Sequence, residues 1–301
     1  MCRWLAYLGS PVGLDDVLVK PDHSLIDQSL LARDLFLPGP GMAQQFREHA
    51  FPTNGDGFGV AWSGRGGTLG QYRQTTPAWD SQNLRHLAAQ ITSGAFLAHV
   101  RAAPGGAISE QNTHPFVHNG WMFCHNGEIN GFAKLKRDLT FDVDPDLYPF
   151  IQGSSDTEVC FFLALTYGLA DDPVAAIARM VARVERARAE HGVTEAFRGS
   201  FAASDGEQLV VARWVSPDAA GTPPPSLFHS SGPVTLHTGK GFGGVVDGVE
   251  TLPEDAQLVA SEPLELHWSK RTWHEIPDAT IGVLRRGADP VFTPLVVSDV
   301  A

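Results

Sequence analysis

Short apolar runs bounded by glycine, proline or asparagine recur toward both ends of this 301-residue chain, and helical patterns separate them. In the first part, residues 57–62, 95–101 and 121–124 read as strands. Between them Leu84, Leu87, Ala88 and Ile91 fall at i, i+3, i+4 and i+7, with Ser81 as a helix cap. Two further helices follow. One begins at Ser154-Ser155-Asp156 and runs through Phe161, Phe162 and Leu165. The other begins at Asp172-Pro173, a cap followed by proline in the first turn, and aligns Val174, Ile177, Val181 and Val184 on one face. Strand patterns then return at 208–214, 234–238, 257–260 and 280–284. Strands, helices, strands is an α+β order, not an alternating βαβ one. Pro38-Gly39-Pro40-Gly41 and Gly221-Thr222-Pro223-Pro224-Pro225 read as surface loops. The second is a candidate domain boundary, but the runs beyond it look like more of the same fold.

With 43% hydrophobic residues the chain can bury a sizeable core. Its formal net charge of −12 argues against nucleic-acid or anionic-membrane partners, which require cations from the protein. No run reaches the roughly 18–20 apolar residues that span a bilayer. Arg3 is followed by a short apolar run that Asp15 and Asp16 end, which is not a signal-peptide layout. Cys2, Cys124 and Cys160 make no disulfide framework, and an odd, sparse count suits a reducing cytosol. The expected location is therefore cytoplasmic.

Cys2 directly follows Met1. Removal of Met1 leaves one residue carrying both a thiol and a free α-amine. These titrate near ~8.5 and ~7.7–8.0 in model peptides, so the amine can take the thiol proton. His125-Asn126-Gly127 closes the strand pattern at 121–124 and offers an amide side chain beside a backbone N–H, two donors for an oxyanion. The same dipeptide is also common in hairpin turns. Arg101 ends the run Ala98-His99-Val100-Arg101, where its planar fork suits a carboxylate, or equally a surface ion pair. Ser155 and Glu158 fit a capping box, which leaves Asp156 free to hold an ammonium. A thiol, two oxyanion donors, an anion clamp and a cation clamp together fit a γ-glutamyl group.

The chain resembles the class II (N-terminal nucleophile) glutamine amidotransferases. The resemblance rests on Met1-Cys2-Arg3, Asn54-Gly55-Asp56-Gly57-Phe58-Gly59-Val60-Ala61-Trp62, Ala98-His99-Val100-Arg101, Asn112-Thr113-His114-Pro115-Phe116, His125-Asn126-Gly127 and Ser155-Asp156-Thr157-Glu158. These motifs occupy about the first 170 residues in the family's order. Val259-Ala260-Ser261-Glu262-Pro263-Leu264 is similar to a late strand of the family. The likeness extends to short stand-alone members, such as the fungal glutathione-degrading subunit and the ergothioneine-pathway γ-glutamyl hydrolase.

The resemblance implies a four-layer αββα sandwich of two antiparallel sheets, the Ntn hydrolase fold, with residues 2–301 as a single domain. It implies Cys2 as nucleophile with its own α-amine as base, and Asn126 and the Gly127 N–H as oxyanion hole. Arg101 would hold the substrate α-carboxylate and Asp156 the α-ammonium. No cofactor and no metal are implied. The glycine-rich segment lacks the Arg-Gly of the large amidotransferases, so no substrate role is carried over to Asn54 or Gly55. The expected activity is hydrolysis of a small γ-glutamyl amide. The alternatives are a glutaminase that passes ammonia to a separate synthase protein, and a non-catalytic binding module, against which the intact set of site residues argues.

Other patterns lead elsewhere. Gly55-x-Gly57-x-Gly59 is followed by a strand-like Val60-Ala61-Trp62, not by the helix a dinucleotide loop needs. His114, His118, Cys124 and His125 match no common zinc spacing, and neighbours 124 and 125 point to opposite faces of a strand. Cys124 with His99 or His125 would make a rival thiol enzyme but leaves Cys2 unexplained. Cys160 lies on the apolar face of a helix and reads as packing.

Overall fold

The computed structural model describes residues 2–32, 53–103, 106–218, 221–222, 224–231, 233–238, 248–265 and 271–297. The loop expected at Pro38-Gly39-Pro40-Gly41 lies outside these residues, as does Pro223 of the second loop. The remaining described residues of that second loop are irregular, as expected.

Strand β1 (Arg3–Gly13) sits at the centre of a seven-stranded antiparallel sheet with β2 (Phe58–Ser63), β3 (Leu69–Gln74) and β4 (Thr92–Val100). A second, six-stranded antiparallel sheet holds β5 (Phe116–His118), β6 (Trp121–Ile129), β7 (Phe197–Ser204) and β8 (Gln208–Val215). The later strands are divided between the two. Strands β9 (Phe228–Ser230), β12 (Gln257–Ala260) and β13 (Trp273–Glu275) join the first sheet. Strands β14 (Thr280–Arg285) and β15 (Val291–Pro294) join the second. Strands β10 (Thr235–Thr238) and β11 (Gly248–Thr251) form a separate two-stranded ladder, with a single bridge from Thr238 to Pro21. The orders are β13-β9-β12-β1-β4-β2-β3 and β15-β14-β8-β7-β6-β5.

Alternation along the strands builds the layers. On β1, Trp4, Ala6 and Leu8 join Met122, Cys124, Ala202 and Val211 of the second sheet in one buried cluster between the sheets. The odd-numbered Leu5 and Tyr7 face outward and pack with α1 (Leu14–Leu18), α2 (Leu25–Leu30) and α3 (Gln82–Ala88). Phe123 and Phe201 face outward from the second sheet, onto α4 (Phe132–Phe141), α5 (Asp156–Thr166) and α6 (Pro173–Glu190). The four layers are helices, sheet, sheet, helices. This is the expected αββα arrangement, with both sheets buried on two faces and therefore nearly continuous in apolar residues. Alanines at 6, 61, 95 and 202 let the sheets approach. Among the described residues, no helix is long and apolar enough to cross a membrane.

The helix caps follow the sequence closely. Ser81 accepts the Leu84 N–H at 3.1 Å, Ser155 that of Glu158 at 3.2 Å and Asp172 that of Ala175 at 3.0 Å. The capping box at α5 is only half formed. Glu158 turns to the preceding loop and accepts the N–H groups of Gln152 and Gly153 at 2.9 and 2.7 Å. A second difference concerns β6, which does not stop on Asn126-Gly127 but runs on to Ile129. Asn126 and Gly127 pair with Ser200 and Gly199 of β7, so the hairpin-turn reading is wrong. The ladder continues because both partners at this rung lack a Cβ. Gly127 has φ of +150°, and a Cβ there would overlap the Arg198 carbonyl oxygen and stand 2.7 Å from Gly199 Cα.

Candidate active site

The sheet ends that meet at one edge of the sandwich bring the candidate residues to one cleft. Arg3 pairs with Val100, so extending the antiparallel register by one residue sets Cys2, just before β1, beside Arg101, just after β4. Cys2 Sγ donates to the Ala102 carbonyl at 3.3 Å and accepts the Ala102 N–H at 3.4 Å. Behind it, the buried Arg3 donates to the Cys2 carbonyl at 2.9 Å and to Glu262 at 2.6 Å, and Glu262 also meets His23 at 2.9 Å. This paired charge network fixes the strand end on which Cys2 sits.

Arg101 is held by its backbone. Its N–H donates to Gly57 at 2.8 Å and its carbonyl accepts from Asp56 at 3.0 Å, while the Asp56 carboxylate accepts the Ala103 N–H at 2.7 Å. Arg101 is 7% exposed, and its Nη1 has no protein partner. Asn126 is fully buried, and neither Nδ2 nor Oδ1 of its carboxamide has a partner. A buried amide left open in this way is costly unless a ligand or water completes it. Even-numbered residues of β6 and β1 face the inter-sheet layer, so Asn126 and Cys2 share it.

Asp156, the first residue of α5, is half-buried. One oxygen accepts the Ile129 N–H at 2.9 Å and the other accepts the Thr157 N–H at 2.8 Å. This ties the helix start to the end of β6, and leaves lone pairs for a cation. Asn112 staples the facing loops: it accepts the Ser154 N–H at 2.7 Å and donates to the Ala107 carbonyl at 3.2 Å. Cys2, Arg101, Gly127 and Asp156 all line one cleft of about 260 Å³, with Asn112, Ser154, His114 and Glu128 in its walls. Asn126 lies just behind Gly127 and is not itself part of the lining.

Two buried histidines, His114 and His125, form the floor, and the buried His99 lies against His114. The rings of His99 and His114 lie 4.2 Å apart, and His125 stacks on Phe201 at 4.5 Å while meeting Thr157 Oγ1 at 3.0 Å. Burial, aided by the Arg101 cation, pushes His99 down to about 3. Burial also lowers His114 and His125, the latter opposed by Asp156. The floor is therefore neutral at pH 7 and adds no charge to the cleft.

The sequence singled out the cleft residues but not their supports. Asn112, Asp56 and the Trp4–Ser200 contact between the sheets went unread, and His99 and His114 were weighed only as parts of other sites. His99 shares strand parity with Arg101, and that spacing could have flagged it. Cys124 is fully buried between the sheets, and burial pushes its thiol well up, so it has neither access nor thiolate character. His125 lies on the opposite face, on Phe201. Cys160 is buried in the helical core. His118 packs on Phe150 and Phe162, away from the other histidines.

A family model described as class-II glutamine amidotransferases matches residues 42–218. The Saccharomyces cerevisiae protein named "Probable glutamine amidotransferase DUG3" is 33% identical over 314 residues, covering 95% of this chain and 82% of that one. A gamma-glutamyl-hercynylcysteine sulfoxide hydrolase from Mycolicibacterium smegmatis is 29% identical over 131 residues, 43% of this chain and 52% of its own length. Among solved structures, a glutamine aminotransferase class-II domain protein from Silicibacter pomeroyi superposes with a TM-score of 0.66 at 28% identity, covering 97% of this chain and 99% of that one.

Proposed function

The chain belongs to the class II glutamine amidotransferase family and is a hydrolase of that type, and on that premise we propose that it cleaves γ-glutamyl amides with Cys2 as nucleophile. The observation that carries the reading is the open carboxamide of Asn126, buried and unpartnered on the face it shares with Cys2. An amide donor held there without a protein acceptor suits an oxygen that arrives with the substrate. The mycobacterial relative, named as a hydrolase of a γ-glutamyl compound, supports the same substrate class.

Arg101 receives the α-carboxylate and Asp156 the α-ammonium of the glutamyl group. Once the peptide bond before Cys2 is cut, its α-amine takes the thiol proton. The thiolate attacks the γ-carbonyl carbon, and the oxyanion is held by Asn126 Nδ2 and the Gly127 N–H. The C–N bond breaks, the leaving amine takes the proton from the Cys2 ammonium, and a glutamyl thioester remains. Water then attacks the thioester, with the α-amine again as base, and glutamate leaves. Residues 2–301 act as one domain in this scheme, consistent with strands beyond Gly221 entering both sheets.

The test is glutamate release from glutamine, γ-glutamyl amino acids and γ-glutamyl alkylamides, by the wild type and by Cys2→Ala. The reading requires turnover of substituted amides by the wild type and none by Cys2→Ala. Turnover of glutamine alone, with ammonia passed to a co-purifying protein, would replace it with the glutaminase reading.

A further inference from the structure

Trp4, Ala6 and Leu8 of β1 face the inter-sheet layer, so Arg3 points the other way, toward the α2 side and away from the cleft. It cannot touch a substrate from there. A charge is nonetheless buried at this place, since Arg3 and Glu262 are both almost wholly inaccessible. Such a pair is a weak source of stability, because desolvation offsets its attraction.

The ladder shows what the guanidinium replaces. Leu5 pairs with Ala260, and at the next rung the Ser261 N–H donates to the Trp4 carbonyl at 2.9 Å, while the Trp4 N–H donates to Ser261 Oγ at 3.0 Å. Backbone groups alternate in direction along a strand, so the Cys2 carbonyl points as that of Trp4 does, toward the β12 side. The register that sets Ser261 against Trp4 sets residue 263 against Cys2. That residue is Pro263, which has no N–H to donate. Arg3 Nη1 donates to the Cys2 carbonyl instead, at 2.9 Å.

The guanidinium is itself held. Its Nε donates to Glu262 at 2.6 Å, and the other Glu262 oxygen meets His23 at 2.9 Å. Gln28 of α2 donates to the His23 and Glu262 carbonyls at 3.1 and 3.4 Å. Covalent geometry keeps the α-nitrogen of a residue within about 3.6 Å of its own carbonyl oxygen, so Arg3 Nη1 lies within roughly 6.5 Å of the Cys2 nitrogen. A cation at that range disfavours a second positive charge.

We propose that Arg3 is a positioning residue for the base of the reaction: it fixes the Cys2 carbonyl in place of a ladder N–H, and its cation favours the neutral, proton-accepting α-amine, with Glu262 balancing that charge. The inference rests on the γ-glutamyl hydrolase reading above. The other charged or titratable groups about Cys2 are Arg101 beyond β4, Asp56 before β2, and His114, His125, Glu128 and Asp156 in the cleft walls. Substitutions at Arg3 and Glu262 leave all of these in place.

The experiment measures kcat and kcat/KM against pH, with glutamine and γ-glutamylethylamide, for the wild type, Arg3→Gln, Arg3→Lys and Glu262→Gln. Intact mass verifies that Cys2 is the first residue of each, and thermal unfolding reports folding. The acid limb of kcat/KM follows the proton on the free enzyme's base. Arg3→Gln should lower kcat by roughly 10- to 100-fold. It should also move the acid limb up by roughly 0.5–1 pH unit, because the amine loses a nearby cation. Glu262→Gln should move the limb down, because that cation then stands unbalanced. Arg3→Lys keeps the charge and should hold the limb near the wild type. Where breaking the buried pair prevents folding, the double variant Arg3→Gln/Glu262→Gln leaves no unpaired charge, and its limb should still rise, since Arg3 is the partner in contact with Cys2. An unmoved limb in Arg3→Gln or in the double variant, or shifts of the same sign in both single Gln variants, overturns the proposal and leaves the hydrolase reading standing. A wild type that releases glutamate from neither compound sinks the hydrolase reading, and this inference with it.

Discussion

The indole N–H of Trp4 donates to the Ser200 hydroxyl at 3.0 Å across the gap between the two sheets. Trp4 lies two residues from Cys2, and Ser200 is the register partner of Asn126. One polar contact inside an apolar layer thus links β1 to β7, the strand that pairs with that of Asn126. A buried indole N–H requires such a partner.

Ser200→Ala should leave that N–H with only the more distant Ser200 carbonyl at 3.3 Å and cost about 1 kcal/mol of stability. The larger effect falls on catalysis. A small shift between Cys2 and Asn126 should lower kcat by roughly 10- to 100-fold with KM little changed. Steady-state kinetics beside denaturant unfolding separates the two. Equal losses in kcat and stability would deny the contact its alignment role.

Asn126→Ala should behave in the opposite way. Its carboxamide has no protein partner, so truncation removes an open buried polar group and should not destabilise the fold. Loss of an oxyanion donor should still lower kcat by about 10²–10³. A variant that is inactive yet as stable as the wild type is the expected result, measured by thermal unfolding and glutamate release.

Asp156→Asn should weaken substrate binding. Its carboxylate accepts the Ile129 and Thr157 N–H groups, and an asparagine oxygen can keep one of these while losing the charge. KM for γ-glutamyl substrates should rise by roughly 10- to 100-fold. A substrate lacking the α-ammonium should show little change, and an equal effect on both would point to a purely structural role.

The histidine floor predicts an acid-sensitive fold. Unfolded imidazoles titrate near ~6.5. Burial, with Arg101 nearby, holds His99 at about 3 in the fold, and burial lowers His114 and His125. Below the unfolded value the unfolded chain binds more protons than the folded one. Stability contributed by these groups is present above ~6.5 and lost as pH falls, down to about 3 for His99. Urea midpoints should decline across that window, and His99→Gln should flatten the decline. An unchanged slope in that variant would place the acid sensitivity elsewhere.

The parts of the fold legible in the sequence were those governed by local rules. Caps at Ser81, Ser155 and Asp172 and the strand at Gln257–Ala260 follow from neighbouring residues alone. Strand β7 was missed although it is central to its sheet. Its Arg198-Gly199-Ser200 carries no apolar alternation. Those residues answer tertiary demands instead: Gly199 makes room for His125, since a Cβ there would stand 2.6 Å from the imidazole, and Ser200 receives Trp4. Helix α4 was not read out of the stretch after β6. Asn126-Gly127 carried the statistics of a turn, and only the paired glycine across the ladder keeps it in the strand. That Cys2, Arg101, Gly127 and Asp156 would share a cleft was legible from a set of motifs, whereas Asn112 and Asp56 act through backbone contacts that no spacing reveals.

The central claim is that the reactive thiol of this protein is Cys2. Peptide mapping by mass spectrometry, after reaction with an electrophilic γ-glutamyl analogue such as a diazoketone, tests it directly. The account predicts one adduct per chain, on the peptide carrying Cys2, in step with loss of glutamate release. An adduct on Cys124 or Cys160, or full activity with Cys2 modified, would contradict it.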